Sequence, residues 1–456
     1  MEESKLLIEL EQKELKANLG NITIAGVPIW RIVRYQSRLK YVSTHSDYVA
    51  VSGKTKFIGK RSIKLLSGFW KYFGKKDLTI FYTFNRLVYS NGFYLDKFID
   101  PVIEGSEIKD DNYVIVDSPN YVGTYARIHK EHVVDNEVRT ISKQILKHLM
   151  LIIVPIIFKK RINSLFFKAQ AVYDLPDSFI QQYNRMIALF VAEYVYDYCW
   201  YRLLSPKRVL IVFREGYFAQ IAVCKRLCIP VAEFQHGITL DKTVSFAGVF
   251  DFRIDPDFFM TFGSYWKSEH FGMTDDRTIC IGWAYSQFMK HQLSIGKKRD
   301  DAALVISSPE ISEKILDAIQ ILSEWKPSMK YHIRLHPSES YNDSLYSKIN
   351  EIQQAEIVDN SNDSAVVLPQ YQYVLGENSS VLYEALSLGC KVGLLNICGL
   401  QPPVDKSAIV GSFSIIRNEK DYHNFFCKKE DDRSNALSFY SDFKRDIFEN
   451  FIKIKM

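Results

Sequence analysis

Long apolar runs are scarce in this chain of 456 residues: the longest, Leu149–Phe158 (LMLIIVPIIF), has ten residues and contains Pro155. A hydrocarbon core needs roughly 20, so a polytopic membrane protein is excluded. Paired cysteine is missing as well. The seven cysteines (Cys199, Cys224, Cys228, Cys280, Cys390, Cys398, Cys427) show no CxxC spacing, which excludes a disulfide scaffold and implies free thiols in a reducing compartment. Cys224 and Cys228 stand four apart on an expected helix, but no further ligands accompany them, so core packing is the better reading. Net charge is small too, 58 Lys and Arg against 53 Asp and Glu, or +5. That is too dilute for a nucleic-acid binder, and no nucleic-acid partner is expected. No self-similarity of 20–50 residues is visible, which removes repeat architectures. Residues 1–20 are charged and lack the apolar core of a secretory signal, so a cytoplasmic location is expected.

The chain does hold material for a large core, 47% hydrophobic and 24% charged, enough for two or three domains. The 30 Phe and 27 Tyr exceed what a core needs and suit sticky surfaces or sugar-facing clefts. Two basic, apolar stretches point to a membrane surface. One is the ten-residue run with Lys147 before it and Lys159, Lys160 and Arg161 after it. The other is Lys54–Lys76, where eight cations alternate with Phe57, Leu65, Leu66, Phe69, Trp70 and Phe73. Peripheral contact with the anionic inner face of the cell membrane is the expectation; buried helix and solvated helix face are the plain alternatives.

From about residue 78 the chain shows short β-rich runs, LTIFYTF and NYVIVDS, separated by polar turns, and residues 178–204 form a long aromatic-rich helical pattern; from residue 205 onward the alternation is clear. Expected strands at 208–213, 230–235, 258–263 and 278–282 alternate with helical segments, including one at 217–227 and one starting near Trp266. The polar stretch 287–302 reads as a linker or inter-domain helix. A second series follows, with strands at 303–308, 331–336, 355–359, 371–376 and 391–396 and helices near 310–324, 343–353 and from Ser379. The tail, 434–453, is helical in pattern. Alternation at this spacing means parallel βαβ units with ligands at the strand carboxyl ends. The expected fold is α/β: two Rossmann-like domains facing a central cleft, with a C-terminal helix closing back on the first. The expected boundaries are 1–286, a linker 287–302, 303–430 and 431–456; residues 1–200 carry no placeable motif.

Three segments carry chemistry. In Gly376-Glu377-Asn378-Ser379-Ser380, the strand ends at Gly376 and the serines open a helix, whose free N–H groups and dipole attract an anion. Glu384, further along that helix, or Glu377 could accept ribose hydroxyls. In Arg334-Leu335-His336-Pro337, strand alternation puts Arg334 and His336 on one side, a cation and an imidazole suited to a phosphate leaving group. In Glu233-Phe234-Gln235-His236-Gly237, a glycine lets the chain turn and leaves His236 at the sheet edge. Glu215, next to Arg214, is a plausible general base or nucleophile, kept ionised by its neighbour. Ser as a plain helix cap and His as a turn-capping residue are the competing readings.

The Q-H-G turn, Phe262-Gly263-Ser264-Tyr265-Trp266, Ile281-Gly282, the H-P turn and S-S-x-x-x-E-A-L-x-x-G together resemble the two-Rossmann-domain (GT-B) glycosyltransferases. Within that group the chain looks most like bacterial capsule and lipopolysaccharide enzymes, including Kdo and sialyl transferases, over roughly residues 205–415. The resemblance implies a glycosyltransferase using a nucleotide-sugar, CMP-sugar favoured and UDP or GDP possible, with a glycan or lipid-linked glycan acceptor. It implies that Arg334, His336, Gly376, Glu377, Asn378, Ser379, Ser380 and Glu384 serve the donor, and that acceptor and base, Glu215 or His236, come from the first domain. It further implies no cofactor and no metal; Asp255-Pro256-Asp257 precedes a strand rather than following one. Six residues separate Glu377 and Glu384, so the E-x7-E of retaining enzymes is absent. Alternatives are a nucleotide-sugar 2-epimerase, a polyol-phosphate transferase of the teichoic-acid type, which usually has Trp where Gln235 stands, and a non-catalytic nucleotide-binding protein.

Overall fold

In the computed structural model the described residues are 2–45, 68–84, 87–90, 92–110, 112–117, 127–135, 141–238, 244, 246, 248–266, 271–292, 298–309, 311–336, 339, 343–359, 362–402, 412–427 and 438–453. Helices α1 (Glu2–Lys16) and α2 (Trp30–His45) lead to strand β1 (Thr79–Tyr82), then β2 (Tyr113–Asp117) and β3 (Val133–Asp135). Three helices follow, α3 (Ile141–Ile157), α4 (Lys159–Tyr173) and α5 (Ile180–Leu204). Next come β4 (Arg208–Ile211), α6 (Phe218–Leu227), β5 (Val231–Phe234), β6 (Phe258–Thr261), β7 (Thr278–Cys280) and α7 (Ala284–Gln292). All strands in this first sheet are parallel, in the order β7-β6-β5-β4-β1-β2-β3.

The second sheet is built from β8 (Arg299–Ile306), α8 (Ser312–Trp325), β9 (Lys330–Arg334), α9 (Asp343–Glu351), β10 (Ala355–Ile357), β11 (Tyr371–Gly376), α10 (Ser380–Ser387), β12 (Lys391–Leu395), β13 (Ser414–Ile416) and α11 (Glu419–Cys427). Its strands are also parallel, ordered β10-β9-β8-β11-β12-β13. Near-continuous runs of buried Val, Ile and Leu, such as Leu304, Val305 and Ile306 on β8, match a sheet covered on both faces. The fold is thus two Rossmann-like α/β halves, as the alternation predicts.

One apolar cluster joins the halves. It runs from Phe81, Leu210, Phe234 and Phe259 of the first sheet to Ala302, Leu304 and Val374 of the second. The chain from Ser438 to Lys444 crosses back over it. Ser441 N–H bonds Phe262 O (2.9 Å), Trp283 N–H bonds Ser441 O (2.8 Å) and Lys444 N–H bonds Ile281 O (2.7 Å). Helix α12 (Arg445–Lys453) then packs under the first sheet, where Arg208 donates to Ile452 O at 2.6 Å and Phe451 meets Phe258.

Several expected boundaries move. The helix expected over 434–453 is interrupted: Ser438, Phe439 and α12 are helical, but 440–444 are not, because the strap there spends its backbone groups on the first sheet; 434–437 lie outside the described residues. Part of the expected linker is ordered as α7, and β8 begins at Arg299 rather than 303, since Arg299 pairs with Tyr371. The helical piece after Trp266, most of the basic stretch 54–67 and Pro337 of the H-P turn lie outside the described residues.

Two glycines permit the strap. A Cβ at Gly263 would overlap the carbonyl oxygens of Ser438 and Phe439, and one at Gly282, which sits at φ +82°, would overlap the carbonyl of Asp442. Gly282→Ala is therefore expected to lower stability by roughly 3 kcal/mol, from the left-handed backbone and the clash together. Urea denaturation checks this, with Gly20→Ala, which meets nothing within 4 Å, as the comparison.

Candidate active site

Strand order reverses once in each sheet: between β4 and β1 in the first, and between β8 and β11 in the second. Loops leaving the carboxyl ends of such a pair run to opposite sides, which opens a crevice where open parallel sheets bind ligands. Glu215 follows β4 and Ser379 follows β11, while His236 follows β5 and His336 follows β9, the strands next to the reversals.

At the first reversal, Phe84 follows β1 and Phe213 follows β4, with ring centroids 5.5 Å apart. The half-buried His236 imidazole stacks beside both, 4.7 Å from Phe84 and 5.0 Å from Phe213, and 5.3 Å from Phe246. Gln235, which is fully buried, sets this loop: its side-chain N–H donates to Gly237 O (2.8 Å) and its oxygen accepts from Phe262 N–H (2.9 Å). An amide is the one side chain that meets both demands at once, and that role was not readable from the motif.

Glu215 takes a different place from His236. It is buried, and its carboxylate faces α2, 3.7 Å from Arg34 Nη2. Burial pushes its pKa up, with Arg34 opposing. The expected partner, Arg214, turns instead to Glu233 and Asp255. Burial likewise raises Glu233, against the pull of Arg214. Asp255 also pairs with Arg31, and Asp257 with Lys225, so the D-P-D carboxylates are engaged.

At the second reversal, Ser307 and Ser308 follow β8, and Glu377, Asn378 and Ser379 follow β11. Ser379 caps α10: its hydroxyl accepts from Val381 N–H at 3.3 Å. The amides of Ser379 and Ser380 bond to no described residue and stand at the positive end of the helix, where an anion is favoured. Gly376 keeps the strand end close, since a Cβ there would meet Leu382 at 3.1 Å and Ile306 O at 3.3 Å.

His336 is exposed on the neighbouring turn. Its backbone N–H donates to Ser307 Oγ (2.8 Å) and Glu339 Oε2 (2.9 Å), and Glu339, itself buried, also receives the hydroxyls of Ser307 and Ser312. β9 ends at Arg334, so strand alternation does not carry on to His336. Arg334 turns aside to donate to Asn362 O at 2.5 Å, while its Nη1 has no hydrogen-bond partner among the described residues. Burial lowers its pKa, against the attraction of Asp363 and Glu384. Glu384 is buried and held by Ser364 Oγ (2.8 Å) and, across the cleft, by Lys97 Nζ (3.4 Å). A donor's ribose would have to displace Lys97 to reach it.

No protein-family model matches this chain, and no curated protein is similar to it in sequence. Among solved structures, the UDP-GlcNAc 2-epimerase of Methanocaldococcus jannaschii superposes with a TM-score of 0.50 at 11% identity, over 82% of this chain and 98% of its own. The lipopolysaccharide outer core galactosyltransferase WaaB, in its apo form, gives 0.47 at 12% identity, over 83% and 100%. The UDP-GlcNAc 2-epimerase of Neisseria meningitidis bound to UDP-GlcNAc gives 0.46 at 11%, over 82% and 98%. At such identities the likeness is one of fold, and it is to the GT-B arrangement of two Rossmann-like halves.

Glu339 is the hinge of the H-P turn, so Glu339→Ala strands two hydroxyls and one amide. It is expected to cost about 2–4 kcal/mol of stability, while Glu339→Gln retains most of it. Urea denaturation of both variants measures the difference.

Proposed function

We propose that this protein is a metal-independent glycosyltransferase of the capsule or lipopolysaccharide type, moving a sugar from a nucleotide-activated donor to a growing surface glycan. A CMP-sugar is favoured, with UDP and GDP possible. The observation that supports this reading is that Ser379 and Ser380 follow β11 at the strand-order reversal of the second sheet, with His336 on the turn after β9, beside β8. In this reading the amides of Ser379 and Ser380 take the donor phosphate, and His336 and Arg334 neutralise the leaving group. Gly376 and Asn378 shape the loop, and Glu377 or Glu384 receives the ribose. His236 takes the proton of the acceptor hydroxyl. Residues 1–286 form the acceptor side and 303–430 the donor side.

The fold it shares with an enzyme that acts on a nucleotide sugar makes 2-epimerisation the rival reading. Removing and returning a proton at C2 needs carboxyl groups facing the sugar. Among the described residues at the first sheet's reversal, Asp117 is buried against Arg127 and Glu215 against Arg34, which favours transfer.

Nucleotide binding is the direct test. CMP, UDP, GDP and TDP are screened by thermal shift against the wild type and His336→Ala. One nucleotide at 100-fold over its dissociation constant should stabilise the wild type by about 2.7 kcal/mol, and His336→Ala should lose most of this. Stabilisation by none sinks the reading, and epimerisation of the matching nucleotide sugar without acceptor hands the site to the rival.

The reading includes a membrane-borne acceptor. Helix α3 turns apolar residues outward: Ile145, Leu149, Ile152 (66% exposed) and Ile156 (70% exposed) share a face, while Lys143 and Val154 are buried. This inverts the pattern of a water-facing helix. No Asp or Glu lies between Glu137 and Asp174, against seven Lys and Arg, and Lys159, Lys160 and Lys168 are exposed beside the apolar face. Such a helix suits the surface of an anionic bilayer. Among the described residues no helix is long and apolar enough to cross one. The wild type should co-sediment with phosphatidylcholine vesicles containing phosphatidylglycerol and far less with phosphatidylcholine alone. The double variant Ile152→Asp, Ile156→Asp should bind at least about tenfold more weakly, a loss of about 1.4 kcal/mol. If the same variant instead abolishes a dimer seen by sedimentation velocity, the face belongs to a second copy of the chain.

A further inference from the structure

A cavity of about 200 Å³ lies between α1, α2 and the 248–251 loop, lined by Glu11, Glu14, Arg31, Arg34, Gly248 and Asp251. That is room for on the order of six waters, and for a small charged group rather than a nucleotide. Arg31, Arg34 and Arg38 share one face of α2, at spacings of three and four. Two of the three are matched. Arg31 donates to Val249 O (3.2 Å) and Asp255, and Arg38 Nε to Glu14 (2.8 Å). Two of the three acids on the wall are held by neighbours: Glu14 also accepts from Trp30 (3.2 Å) and Tyr173, and Asp251 from Arg253.

Arg34 is the exception. Its side chain is 3% exposed, and among the described residues it makes no hydrogen bond and one ion pair, to Glu215, 3.7 Å long. A buried guanidinium without hydrogen bonds is unfavourable, and Arg34 Nε is buried with no partner among the described residues. Burial, with Arg31 and Arg38 repelling it, lowers its pKa, and burial raises that of Glu215, which weakens the one pairing Arg34 has. The loop is nevertheless shaped around it. Gly248 sits at φ +135°, and a Cβ there would overlap Arg34 Nη1.

We propose that this cavity is a binding site for a small anionic group, a carboxylate or phosphate carried by a sugar, with Arg34 as its hydrogen-bonding partner. A planar guanidinium meets two oxygens of either group at once. Through Glu215 the cavity adjoins the carboxyl end of β4, on the acceptor side of the cleft. Assigning the anion to an acidic acceptor sugar rests on the transferase reading; the anion site itself does not.

The test is calorimetric titration of the full chain with glucuronate, inorganic phosphate and neutral glucose, on the wild type, Arg34→Gln and Val249→Glu. Val249 is exposed at the rim, so its variant places a negative charge at the mouth without touching the buried pairs and keeps the test valid if Arg34→Gln fails to fold. Glucuronate or phosphate should bind the wild type, at least tenfold more weakly in each folded variant, and glucose should not bind. Glucuronate alone identifies a carboxylate, phosphate alone a phosphate. The proposal is overturned if neither anion binds, or if both bind the variants as well as the wild type. Nucleotide stabilisation read on the same samples keeps the two readings apart. Its absence beside intact anion binding removes the acceptor assignment and leaves the site.

Discussion

The backward crossing of the chain from Ser438 to Lys444 is the constraint on which the rest depends. Two parallel sheets joined only through residues 287–302 would be free to turn against each other. The strap removes that freedom by bonding its backbone to the carboxyl ends of β6 and β7, at a distance only Gly263 and Gly282 allow. It also reaches the candidate site. Trp266 donates to Phe439 O at 2.6 Å, Phe439 packs 5.1 Å from Tyr383, and Tyr383 lies on α10, the helix whose first turn offers its amides. First sheet, strap and α10 therefore form one packed aromatic column, and close packing transmits position where a flexible linker would not.

Within that frame the carboxylates are largely consumed by structure. Glu233 and Asp255 share Arg214, Asp100 and Asp117 share Arg127, and Glu339 gathers two hydroxyls and an amide. Breaking such buried pairs leaves an uncompensated charge, so they hold the strand ends in place rather than react. What remains at the two reversals is of another kind: an imidazole among phenyl rings, an exposed imidazole, a half-used guanidinium and open amides. These are donors and cations, which suit a departing phosphate more than proton abstraction from carbon.

The second sheet was legible because each strand is a short apolar run ending in a turn residue, and because helices of ordinary length separate them. In the first sheet the strand–helix alternation was legible only from β4 onward, although β1 and β2 fall on the β-rich runs LTIFYTF and NYVIVDS. Its opening strands, β1 to β3, are cut off from β4 by α3, α4 and α5, and β3 is a three-residue edge strand, so no βαβ rhythm survives in the sequence. Motif residues were found because strand ends are marked by Gly and Pro. Their orientations were not. Glu215 and Arg214 are adjacent in sequence yet point to different partners, one to α2 and one to β5, because the backbone turns between them. Arg334 and His336 diverge for the same reason: alternation holds only while the strand lasts.

The stretch that sequence reasoning left unplaced is the one that distinguishes this molecule from a bare pair of Rossmann halves. Residues 1–204 supply α2, with the unsatisfied Arg34, and α3, with its outward apolar face. Neither feature helps the chain fold: one leaves a buried cation short of hydrogen bonds, and the other leaves Ile and Leu in water. Both costs fall on the half opposite α10. A half that spent those residues on its own stability would pair Arg34 and put polar side chains on α3. Their retention on one side of the cleft is what a surface built to receive a charged, membrane-borne acceptor requires. In the proposed reading, the sheet pattern of residues 205–416 sets where the donor sits, and the first 204 residues set what it meets.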